Sequence, residues 1–148
     1  MKDLLNAAEM KAVDQRSIEE YGIPSLVLME RAALEVVKRA GELLEPGLSG
    51  NEALEYGPGR ERLLKERKRK TVWAVCGFGN NGADGAAAAR MLTLQGFSSV
   101  ILLPSQEGKR SRELEVQLSV AEKLGIPILT LGDPLPEACD LILDAVFG

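Results

Sequence analysis

Apolar residues in this chain follow two rhythms. Leu26, Met29, Ala32, Ala33, Val36, Val37, Ala40, Leu43 and Leu44 recur every three or four positions, the spacing that lines one buried face of a helix. A shorter helix is expected ahead of them. Asn6 followed three residues later by Glu9 forms a capping box, and the helix runs to about residue 21, where Gly22-Ile23-Pro24 breaks it. Ser25 is placed to cap the second helix. From 45 to 59 the periodicity dissolves into turn chemistry, with Pro46-Gly47, Ser49-Gly50 and Gly57-Pro58-Gly59. Beyond residue 71 short apolar runs at 72–75, 99–103, 126–131 and 140–147 predict strands, separated by helices over 84–95 and 110–124. The second of these presents Leu114, Gln117, Leu118, Ala121 and Leu124 on one face and stops at Gly125. Strands alternating with helices predict βαβ units, a mostly parallel sheet and helices on both of its faces.

At 148 residues the chain is one domain with enough length to bury a core. It holds no apolar run near the ~18 residues of a membrane span and opens without a secretory h-region, so a cytoplasmic protein with no membrane partner is expected. Cys76 and Cys139 each lie in an apolar, strand-like run and are expected to be reduced core thiols. There is no histidine. The commonest general base and the commonest transition-metal ligand are therefore absent together, leaving carboxylates, lysine, backbone groups or a bound ion.

The net charge of −4 conceals a reversal. Residues 60–70 carry seven basic and two acidic side chains, a local +5 against −9 for the remainder. Without interleaved aromatics, and on an acidic body, this stretch is not expected to bind nucleic acid. With the turns before it, it reads as a turn-rich, basic insert over 45–70, a solvated helix face or linker.

The chemistry concentrates in Cys76-Gly77-Phe78-Gly79-Asn80-Asn81-Gly82-Ala83-Asp84-Gly85, between a strand and an alanine-rich helix. Strand, glycine-rich turn and helix place backbone N–H groups against an anion. Right-handed crossovers put the carboxyl ends of all the strands on one edge, where such sheets bind ligands. Asp144, near the end of the last strand, falls on the same edge. Gly77, Gly79 and Gly82 match a dinucleotide fingerprint by spacing, but the acid expected about 20 residues on is missing: the second strand ends Leu102-Leu103-Pro104-Ser105, with no acid until Glu107. An ordinary NAD-dependent dehydrogenase is disfavoured.

These residues carry a resemblance. Ala8-Glu9-Met10 with Asp14, the run from Tyr21 to Ala32, the Asn80-Asn81 glycine turn and the closing Asp144-Ala145-Val146-Phe147-Gly148 occur in the order found in the YjeF N-terminal family of NAD(P)H-hydrate epimerases. The resemblance implies a Rossmann-like three-layer α/β/α sandwich, preceded by two N-terminal helices, that epimerises the R and S forms of hydrated NADH and NADPH. It implies an isomerase acting in nicotinamide nucleotide repair, with an NAD(P)H-hydrate dehydratase as functional partner. Asn80, Asn81, Gly82, Ala83 and Asp84 would line the substrate site, Gly148 would begin a second substrate loop, and Asn81 and Asp144 would be ligands of a potassium ion. Such an ion suits amide, carboxylate and carbonyl oxygens. Where this chain has Ala83 the family usually has glycine, and a methyl there requires a negative φ. The family domain runs on past this last block, so residues 1–148 are expected to hold it without its C-terminal part.

No catalytic acid or base is assigned by the resemblance; Asp84 and Asp144 are the candidates. An acid at the start of a helix is commonly a cap, and a cation-bound Asp144 would be a poor base, because the ion favours its ionised form. The alternative reading is a non-catalytic nucleotide- or protein-binding module on the same fold. The apolar helices over 6–44 offer a surface for a homodimer.

Overall fold

The computed structural model describes residues 5–46, 59–106 and 108–147. Helix α1 (Ala7–Glu19) opens on the expected capping box, Asn6 Oδ1 accepting the Glu9 N–H at 3.0 Å and Glu9 Oε2 accepting the Asn6 N–H at 2.8 Å. Gly22, at φ +68°, turns the chain toward α2 (Ser25–Leu44). Ser25 does not cap α2. Pro24, extended at φ −60° and ψ 138°, occupies the cap position, so Ser25 is already helical and its hydroxyl donates instead to Glu113 Oε1 at 2.6 Å. The buried face of α2 is also narrower than its periodicity suggests: Met29, Ala33, Val37, Ala40 and Leu44 are buried, whereas Ala32, Val36 and Leu43 are exposed.

Part of the 45–70 stretch lies outside the described residues; the rest includes helix α3 (Gly59–Arg67). It is not wholly solvated. Arg67 is buried and binds Glu45 through Nη2 at 2.6 Å and Nε at 3.0 Å, donates to the Gln95 carbonyl at 3.0 Å, and stands 5.0 Å from the Phe97 ring centre. Lys70 donates to the Leu44 carbonyl. Two members of the basic run therefore pin the end of α2 to the start of the sheet.

Four strands follow: β1 (Thr71–Cys76), β2 (Ser98–Leu103), β3 (Ile128–Thr130) and β4 (Leu141–Ala145), with α4 (Asn80–Leu94) and α5 (Arg112–Lys123) between the first three. All pairings are parallel, in the order β3-β2-β1-β4. This is the α/β, Rossmann-like arrangement, and the strand order reverses between β1 and β4. The ends of several elements differ from expectation for local reasons. Strand β3 is short because Ile126 donates its N–H back to the Ala121 carbonyl and Pro127 has none to give. Strand β4 stops at Ala145, since the next N–H, of Val146, turns to the Asp144 carboxylate. Leu124 is the exposed C-cap of α5 rather than part of its buried face, and Gly125 at φ +72° completes the stop.

Helix α4 is the hub. Ala83 and Ala86 through Ala89 are all inaccessible to solvent, and their small side chains let α4 pack on β1, β2 and β4 while α2 and α5 pack on α4. The same face of the sheet supplies Val72, Ala74 and Cys76, with Ile101 and Leu103 alongside. Each fully buried Leu or Ile here stabilises the fold by about 1.5–3 kcal/mol. Among the described residues the helices that pack on the sheet share this face; the other carries Trp73, Val75, Ile142 and Asp144 by strand alternation. Cys76 is buried, its thiol pushed up to about 12 by burial, whereas Cys139 lies half-buried before β4 rather than in a strand; both are free. No helix among the described residues is long and apolar enough to cross a membrane.

Candidate functional site at the switch of strand order

The ends of β1 and β4 form the site. Only Gly77, Phe78 and Gly79 make a turn; α4 begins at Asn80, four residues earlier than the pattern of weak helix formers suggested. Its glycines answer to close approach, since none of Gly77, Gly79, Gly82 or Gly85 has a positive φ. A methyl on Gly77 would overlap the Val146 carbonyl, and one on Gly82 would overlap the Gly77 carbonyl oxygen and lie 2.7 Å from its carbon. One on Gly85 would lie 2.5 Å from the Ala145 Cβ. Gly77 also donates its N–H to the Ala145 carbonyl at 2.9 Å, locking the turn to β4. Ala83 is helical with negative φ and fully buried, so its methyl is accommodated.

Gly79 holds the N-cap position of α4 without a side-chain bond. The first helical N–H to reach a backbone acceptor is that of Ala83, on the Gly79 carbonyl at 3.2 Å. Among the described residues the N–H groups of Asn80, Asn81 and Gly82 have none. They open on the carboxyl edge of the sheet at the positive end of the helix dipole, an arrangement suited to phosphate.

Asp84 is not a cap. As the fifth residue of α4 it is half-buried in a cleft of about 330 Å³ between the helices, with Asn80 from its own helix, Asp14 from α1, Met29 from α2 and Glu113 at the start of α5. Burial, reinforced by the Asp14 carboxylate, raises its pKa from 3.8 to about 6. Glu113 is moved the other way: the Ser25 hydroxyl, its own backbone N–H and Arg112 favour its ionised form and lower its pKa. A carboxyl kept partly protonated near neutrality, beside a Glu113 whose ionised form is favoured, is equipped to give and take a proton. The frame around it is fixed by Arg90, which binds Glu30 and donates to Gln117 Oε1 at 3.0 Å, tying α4 to α2 and α5. Asp14 and Glu113 carried no individual signal in the sequence as neighbours of Asp84; 70 residues separate Asp14 from it, and only the packing of α1, α2 and α4 brings them together.

Asp144 stands elsewhere. It pairs in register with Val75, on the sheet face away from α4, and is exposed, with Oδ1 accepting the Val146 N–H at 3.2 Å. It does not line the Asp84 cleft. Asn81, half-buried in the first turn of α4, sits at the end of the neighbouring strand unit. As donor types, the Asn81 amide and the Asp144 carboxylate oxygens suit a hard monovalent cation. Among the described residues no cluster of three His, Cys, Asp or Glu could hold a metal. Gly148 lies outside the described residues.

Comparison with known proteins decides the family. The model of the YjeF-related protein N-terminus matches residues 25–148. The chain belongs to this family. Its curated relatives include NAD(P)H-hydrate epimerases of Oenococcus oeni (41% identical over 137 residues, 91% of this chain and 54% of that one), Weissella koreensis (36% over 149 residues, 100% and 57%) and Limosilactobacillus fermentum (36% over 145 residues, 97% and 58%). This YjeF-related chain thus spans a little over half the length of those relatives. The crystal structure of yeast ynu0 superposes with a TM-score of 0.70 over 99% of this chain and 57% of that one, at 23% identity, and shares its fold.

Proposed function

We propose that this YjeF-related chain carries the catalytic half-site of an NAD(P)H-hydrate epimerase, interconverting the R and S forms of hydrated NADH and NADPH. The observation that carries the reading is the pairing of open N–H groups at the start of α4 with a half-buried Asp84 one turn on, in a chain whose relatives bear that name. The N–H groups of Asn80, Asn81 and Gly82 receive the substrate's phosphate, with Ala83 buried behind them as packing. Epimerisation at the hydroxyl-bearing ring carbon runs either by ring opening and reclosure or by departure and return of hydroxide through an iminium cation. Both routes require one group to give a proton and take it back. Asp84 does this. In the hydroxide route it protonates the departing hydroxyl, which leaves as water, and as carboxylate takes a proton from the water that adds to the other face. In the ring-opening route its carboxylate takes the hydroxyl proton as the ring C–N bond breaks toward nitrogen and returns it to the carbonyl oxygen on reclosure.

Asn81 and Asp144 would hold a potassium ion, whose charge offsets that of the phosphate and steadies the turn. Asp144 would then serve the ion, which leaves Asp84 as the proton carrier. The epimer that re-forms is consumed by a dehydratase that removes water from the ring, and a cytoplasmic location fits a nucleotide substrate. The exposed apolar residues Val13, Val27 and Leu34 of α1 and α2, with Tyr21 in the turn between them, support a second copy of the chain as their cover. Chiral chromatography tests the reading: with NADPH hydrate enriched in one epimer, equilibration should be faster with the protein than without it, and faster in potassium than in sodium chloride. Equilibration at the spontaneous rate in both salts would refute it.

A further inference from the structure

A cleft of about 810 Å³ opens where β2 and β3 end, and nothing above employs it. Its walls include Ser105, Lys109, Arg110 and Arg112, with Phe78 of the glycine turn on the near side and Thr130 of β3 on the far side. In parallel sheets whose first strand leads into a glycine turn, the ribose bearing adenine lies at the end of the second strand, where an acid selects free hydroxyls and an arginine accommodates a 2′-phosphate. Here the second strand is followed by Glu107, which lies outside the described residues, and then by three cations, Lys109, Arg110 and Arg112. Glu115 is the one carboxylate lining the cleft among the described residues, and none of the three cations makes an ion pair among them.

The loop bearing these cations is fastened to the phosphate-binding turn. Ser111 donates its N–H to the Phe78 carbonyl at 2.8 Å, and its hydroxyl accepts the Leu114 N–H at 3.1 Å, starting α5 at this point. Gly108 lies so close to Phe78 that a Cβ there would overlap the ring. Lys109, Arg110 and Arg112 therefore flank the turn in a defined place, about where the second phosphate-bearing end of an extended dinucleotide would fall. Guanidinium groups offer paired donors matched to phosphate oxygens.

We propose that this cleft receives the 2′-phosphate of a phosphorylated dinucleotide, so that the site prefers the NADPH-derived hydrate to the NADH-derived one. The proposal rests on the epimerase reading given above and adds the identity of the favoured substrate. Titration calorimetry with the chain at one fixed ionic strength, using NADP+ and NAD+ as probes, tests it. NADP+ is expected to bind at least about tenfold more tightly. In Lys109→Ala/Arg110→Ala the advantage should shrink to about twofold while NAD+ affinity stays unchanged, because these side chains are exposed and their loss leaves the core intact. Equal affinity for both probes in the unaltered chain would overturn the phosphate assignment and leave the epimerase reading standing. A preference that survives in Lys109→Ala/Arg110→Ala/Arg112→Ala would overturn the assignment to this cleft. Binding of neither probe, with native circular dichroism, would overturn both.

Discussion

Replacing Asp84 by asparagine should make this protein more stable, and only above a certain pH. The carboxyl has an ordinary pKa of 3.8 when the chain is unfolded and about 6 when it is folded, because α4 carries it into the interhelical cleft toward Asp14. An acid whose pKa rises on folding holds its proton more tightly in the native state. Below 3.8 both states are protonated and folding carries no charge penalty; between 3.8 and 6 the penalty grows; above 6 it is complete. Stability contributed by this group therefore falls as pH rises through that window. The full interval converts at 1.36 kcal/mol per pH unit to about 3 kcal/mol, and the half-exposed position, where water screens the charge, reduces the expectation to about 1–2 kcal/mol. Asp84→Asn removes the charge at nearly constant shape. Urea unfolding followed by circular dichroism should show the variant and the parent equally stable at pH 4, with the variant ahead by about 1–2 kcal/mol at pH 8. A variant no more stable than the parent at pH 8, or a gain independent of pH, would refute the reasoning.

Other expectations follow from the same structure. Asp14→Asn removes the second cause of the raised Asp84 pKa, so carbon-13 NMR titration of the Asp84 carboxyl should give a midpoint below that of the parent. Gly82→Ala and Gly41→Ala make the same change in two helices with opposite results: the first drives a methyl into the Gly77 backbone, whereas nothing lies within 4 Å of the second. Gly41→Ala should gain about 0.5–1 kcal/mol and Gly82→Ala should lose about 1–3 kcal/mol, read as thermal midpoints moving in opposite directions. Arg67→Ala strands the buried Glu45 carboxylate and should cost about 3–5 kcal/mol in denaturant unfolding, most of it recovered by the apolar pair Arg67→Met/Glu45→Leu.

Much of this fold was legible in the chain because burial writes period into sequence. The strand and helix alternation after residue 71 and the capping box at Asn6 are local patterns, and each formed in the order read, with several element ends shifted. The start of α4 was not legible. Asn80, Asn81 and Gly82 are poor helix formers, and the close packing of Gly82 on the Gly77 backbone and of Gly85 on Ala145, rather than propensity, goes with their helical start. Arg67 in a run of cations gives no sign that it alone is buried, because its partner Glu45 lies 22 positions earlier, just past the end of α2. The candidate site divides in the same way. Its glycine turn and asparagines stand together in the chain, whereas the pocket around Asp84 is assembled from α1, α2, α4 and α5, a coincidence in space that no spacing encodes. Asp84 and Asp144, alike as carboxylates in the sequence, part company once β4 turns Asp144 to the other sheet face.

The central claim is that Asp84 moves the proton in epimerisation. The rate of NADPH-hydrate epimer equilibration, measured from pH 4.5 to 8.5 for the parent and for Asp84→Asn, tests it most directly. The account predicts a parent profile that bends near pH 6 and a variant that equilibrates the epimers no faster than buffer. A parent profile without a bend, together with a variant that keeps the parent's rate, would contradict it.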